Sequence, residues 1–197
     1  MNYLLNNYLR PLAHRIVEQK VIYDFAESCT FPPKKQALVS YLVHPLLPPK
    51  KYRDKVLFSN RGIAQQMCHA LNELGYSVDI VDYKNANWNV TKKYDLFVGH
   101  GGINFERFAN SINGDAKKIY FSTGSYWRDG NIREAKRFYE FALRTGYFMP
   151  ADRFNINSEE QANQLADGII CLGNARIRES YKKFDNVINI NNAAYAI

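Results

Sequence analysis

Three short stretches of this chain gather residue types able to handle a hydroxyl group or an anion. The first is His100-Gly101-Gly102, which closes an apolar run. An imidazole titrates near neutrality, so a histidine there can orient or deprotonate a hydroxyl. The two glycines leave room for a ligand against the backbone. A turn histidine bonded to its own loop is the competing reading. The second stretch is Asn60-Arg61-Gly62, directly after Ser59, where a helical pattern begins. Exposed N–H groups and the helix dipole favour anions at such a start, and plain capping is the alternative. The third is Ser122-Thr123-Gly124-Ser125-Tyr126-Trp127-Arg128, which offers hydroxyls, an aromatic face and a guanidinium. Trp127 there suits loop packing as well as ligand stacking.

Other chemistries lack their residues. No G-x-x-x-x-G-K-[ST] or G-x-S-x-G occurs, and Gly99-His100-Gly101-Gly102-Ile103-Asn104 fails the dinucleotide fingerprint at its last position. No two aspartates are spaced Asp-x-Asp, and His14, His44, His69 and His100 have no metal-ligand pairing. Neither metal nor cofactor is expected.

The elements that must position these residues alternate in type. Strand patterns cover Ala37 to Val43, Ser77 to Tyr83, Tyr94 to His100, Lys118 to Ser122, Gly168 to Leu172 and Asn186 to Ile190. Between them, Ile63, Met67, Ala70, Leu71 and Leu74 make one helical face that stops at Gly75. Asn131 to Arg144, a short segment opening at Ser158 and Asn174 to Lys183 also read as helices. Such alternation predicts a Rossmann-like three-layer α/β sandwich with a mainly parallel sheet. Ligands bind such sheets at the carboxyl ends of the strands, hence at the loops after Val43, His100, Ser122 and Leu172.

Residues 1–36 differ from the rest. Leu4, Tyr8, Leu12 and Ile16, with Leu5, Leu9, Ala13 and Val17 beside them, form an amphipathic helical stripe interrupted by Pro11. Phe31-Pro32-Pro33-Lys34-Lys35 reads as a linker. The stripe predicts a helical extension docked on the main domain, 37–197, with in-plane membrane contact as the alternative. His44 to Lys55 is a long loop rich in proline and lysine.

With 197 residues, of which 46% are hydrophobic and 23% charged, the chain suits one globular domain plus an appendage. The net charge of +7 comes from dispersed lysine pairs rather than a dense block, and the 14 tyrosines form no base-stacking signature. No nucleic-acid partner is expected. Cys29, Cys68 and Cys171 read as reduced thiols, and with no secretory signal pattern at the start the expected location is cytoplasmic.

The run from Asn60 to Ile80, the strand Tyr94 to His100 and the segment Ala166 to Asn174 together resemble the N-terminal domain of a GT-B glycosyltransferase of the large group 1, family 4-like class. The resemblance implies the N-terminal half of a GT-B fold, an acceptor-side domain whose C-terminal donor domain is absent from 37–197. It implies sugar transfer from a nucleotide-sugar donor, held mostly by that missing domain, to a hydroxyl-bearing glycan or lipid acceptor. Under it His100 is the catalytic candidate. Asn60, Arg61, Gly62, Gly101, Gly102, Thr123, Gly124 and Arg128 are the substrate-binding candidates. A domain that keeps the fold without catalysis, and contacts a partner or membrane through its basic face, is the alternative.

Overall fold

A computed structural model describes residues 16–47, 59–151, 153–155 and 159–191. Seven strands make one sheet: β1 (Val21–Phe25), β2 (Lys35–Tyr41), β3 (Tyr76–Asp82), β4 (Leu96–Gly99), β5 (Lys117–Ser122), β6 (Gly168–Leu172) and β7 (Val187–Ile190). Their spatial order is β1-β3-β2-β4-β5-β6-β7. Every neighbouring pair is parallel except β1 with β3. Among the described residues, the α-helices are α1 (Asn60–Glu73), α2 (Gly102–Ser111), α3 (Trp127–Thr145), α4 (Glu160–Leu165) and α5 (Ala175–Ser180). The predicted Rossmann-like three-layer sandwich is therefore present.

Strand alternation divides the core in two. Val39, Val78, Ile80, Val98, Phe121 and Leu172 point to one face, where Ala64, Cys68 and Leu71 of α1 cover part of them. Leu38, Val81, Phe97, Tyr120, Ile169 and Cys171 point to the other, against Phe105, Phe108 and Ala109 of α2 and Ala162 of α4. Helix α1 starts where Ser59 Oγ accepts the Arg61 N–H (3.2 Å). It ends before Gly75, whose φ of +85° few other residues adopt.

Three differences from the sequence reading bear on function. Part of the segment expected to be extension and linker is a strand: β1 adds to the β3 edge, antiparallel. Its register shifts between Ile22 and Phe25, where Asp24 takes a positive φ of 51°. A charged network centred on one buried carboxylate holds it there. Asp79, fully buried in β3, accepts hydrogen bonds from the Asp24 N–H (2.9 Å) and Tyr94 Oη (2.7 Å), and its other close partner is Lys92 Nζ at 3.0 Å. Second, α2 follows directly on His100-Gly101, in a stretch assigned no element above. Third, α3 begins at Trp127 rather than Asn131, so Arg128 lies in a helical first turn. The helical stripe falls outside the described residues except for Ile16 and Val17. So does the loop beyond its opening 3-10 turn, His44–Leu46, save Leu47.

Candidate functional site

The chain leaves β2 for β3 on one side, then crosses back to β4 on the other. That reversal is where a doubly wound sheet opens a crevice at its carboxyl rim. Here the crevice is a cavity of about 490 Å³ lined by Tyr83, Lys84, Ala86, Gly101, Gly102, Asn104, Asn155 and Glu159. Gly101 is the N-cap of α2 and has no side chain to cap it. The first backbone bond of the helix is Phe105 N–H to Gly101 O (3.0 Å). The N–H groups ahead of it face the cavity end, with the positive end of the helix dipole. Gly101 holds a φ of +79°, and a Cβ there would lie 2.8 Å from the Tyr83 ring. The close approach of backbone and ring thus depends on glycine.

Helix α2 also shapes the opposite wall. Asn104 Nδ2 donates to Tyr83 O (2.6 Å) and Asn85 O (3.1 Å), and Arg107 donates to Asn85 O (2.7 Å) and Ala86 O (3.0 Å). These bonds clamp the loop after β3 and fix Tyr83 and Lys84. Lys84 Nζ is 3.2 Å from Glu18 Oε1, and this partner keeps the lysine charged by raising its pKa. Glu159 brings a carboxyl to the far wall, where burial lifts its pKa above the usual range, while Tyr120 and Asn155 pull it the other way.

His100 stands behind Tyr83, their ring centroids 5.2 Å apart, and Tyr41 meets it edge-on at 5.3 Å. Its Nδ1 lies 2.8 Å from Phe121 O. A carbonyl only accepts, so Nδ1 carries the proton and Nε2 is left as the acceptor. Burial depresses the pKa of the ring, with the Phe121 bond opposing, so the neutral form prevails at pH 7. Beside it the Tyr41 hydroxyl is buried, lacks a hydrogen-bond partner among the described residues, and is pushed up to about 12 by burial and by Tyr83.

The other candidates are dispersed. Asn60, Arg61 and Gly62 open α1, over the face carrying Val98 and Phe121, with Ser59 as their cap. None of them lines the cavity. Thr123 and Gly124 lie in a turn whose Gly124 O accepts from Ser122 Oγ (3.1 Å) and Tyr181 Oη (3.4 Å). Arg128 stacks over Trp127 and pairs with Glu160 at 3.7 Å. Glu160 is the hub of a separate cluster. Burial opposes its charge, yet bonds from Lys183, Tyr126 and Trp127 hold its carboxyl at about 2. Of the candidates, Gly101 and Gly102 line the cavity, and His100 adjoins it behind the Tyr83 ring without lining it. Tyr83, Lys84, Asn104 and Glu159 join them from three separate segments, and the sequence reading, which singled out the loop after His100, named none of these four as a site residue.

No family model, curated protein or solved structure matches the chain.

Proposed function

We propose that this domain is the acceptor-side part of a sugar-transferring enzyme, holding a hydroxyl-bearing ligand at its carboxyl rim. The observation that carries the reading is His100, whose neutral ring has no partner on Nε2 among the described residues and stands at the end of a central strand, next to Tyr83. Such a nitrogen can accept the hydroxyl proton as that oxygen attacks the sugar carbon. The donor's C–O bond to phosphate then breaks, and the nucleoside diphosphate leaves with the electron pair. Lys84 and the uncapped start of α2 supply positive potential for a phosphate carried by the ligand. The donor itself is assigned mainly to a companion lobe that residues 37–197 do not form, which gives the domain little activity alone.

Side-chain ¹⁵N resonances of His100 test it. Titration with sugar phosphates should move Nε2 saturably and leave His69 unmoved. Saturable binding that shifts neither His100 nor Gly101 and Gly102 would overturn the assignment.

A second reading, a non-catalytic docking module, draws on α3, none of whose residues is buried. Ile132, Tyr139 and Leu143 recur along its outer side at 65–70% exposure. Flotation of the intact chain with phosphatidylserine vesicles separates the readings. Flotation abolished by Leu143→Ser, with no sugar-phosphate response at His100, favours the module.

A further inference from the structure

One face of the sheet is incompletely covered. The layer of α2, α4 and α5 spans the opposite side, while α1, with Leu46 of the 3-10 turn and Val17, covers only part of this one among the described residues. Beside α1 runs an apolar groove of about 420 Å³, bounded by Ile63, Met67 and Leu71 of the helix and Phe121, Leu172 and Ile190 of the sheet. Next to it Ile188 is 65% exposed and Ile190 44%. Leaving that much aliphatic surface in water is unfavourable.

The chain carries a segment suited to it. Leu4, Leu5, Tyr8, Leu9, Leu12 and Ala13 recur at helical spacing, and 1–15 contain no acidic residue. This segment joins the described body on the same face, where Val17 packs against the α1-side core. Glu18 and Gln19 fix the junction beside the end of β3, through Lys84 (3.2 Å) and Asn87 (2.8 Å). From β3 the groove begins two strands away at β4 and ends five away at β7. At the usual strand spacing that is about 10 to 24 Å. Fifteen residues cover about 22 Å at helical rise and more when extended. We propose that residues 1–15 occupy this groove and complete the outer layer. The inference goes beyond the sugar-transfer reading and does not depend on it.

Hydrogen exchange on the full chain tests the assignment. Amides across 4–12 should be protected, and Ile190→Asp, at a half-exposed edge position, should speed their exchange at least tenfold while β2 to β5 keep theirs. Leu9→Asp, which leaves the groove wall intact, should give the same release and raise binding of an apolar dye. Protection of 4–12 that neither variant changes would overturn the proposal. So would protection that grows with protein concentration, which would make a second copy the occupant.

Discussion

His100 combines burial with a hydrogen bond that selects its tautomer, and this has a signed consequence for stability. Its folded pKa lies below the unfolded value of about 6.5. The unfolded chain therefore binds the proton first as the pH falls. The neutral ring costs nothing at high pH, and stability declines below about 6.5 until the folded ring also protonates. Urea midpoints at pH 7.5 and 5.5 should show this decline in the native protein and less of it in His100→Gln. Equal declines in both would assign the effect to other groups. Gly101 makes a second case. Gly101→Val forces a β-branched residue to a φ of +79° against Tyr83, and a loss of about 1–3 kcal/mol is expected from the backbone strain. The same variant should weaken sugar-phosphate binding, because Gly101 and the Tyr83 ring it would displace both line the cavity.

At the scale of elements, the antiparallel edge is one joint. β1 is tied down by Asp79 as well as by Phe25 and Ile22 on one core and Val21 on the other. Asp79→Ala would remove the acceptor of the Tyr94 hydroxyl and the Asp24 N–H while Lys92 keeps the exposed Asp24 carboxylate, and a loss of about 1–3 kcal/mol is expected. Chemical denaturation measures that loss, and hydrogen exchange should show β1 released first. Asn72 is a second joint. Its Nδ2 donates to Phe25 O and Tyr76 O, both at 2.9 Å. Asn72→Ala orphans two carbonyls and should cost about 2 kcal/mol or more. The central strands were legible because Leu38, Val39, Phe97 and Val98 lie in apolar runs that burial on both faces demands. The α1 stripe was legible through its period and its glycine stop. β1 was not, because the bulge at Asp24 breaks its alternation. α2 was hidden behind Gly101-Gly102, which read as a turn, although Phe105, Phe108, Ala109 and Ile112 carry the spacing of a helix. The cavity was least legible. Tyr83, Asn104 and Glu159 are joined by the crossing of the chain between β3 and β4, and no local pattern encodes that meeting.

For the molecule as a whole, burial is uneven. The sheet and its flanking helices hold two dense cores, while α3 and the Tyr147-Phe148-Met149 turn after it stand in solvent, with Phe148 85% exposed. Leu143→Ser combined with Phe148→Ser should accordingly change folding stability by no more than about 0.5 kcal/mol, as calorimetry can check. A large loss would mean that α3 is packed in solution. The two cores also carry one fully shielded sulfur each: Cys68 sits under α1, and Cys171 lies on the opposite side of the sheet. Burial raises the pKa of both thiols, so neither offers a thiolate to an alkylating reagent while its layer is closed. Each sulfur thus serves as a clock for its own half of the sandwich. The order in which the two become alkylated under mild denaturant reports which layer peels away first, and simultaneous alkylation means that the halves come apart as one unit.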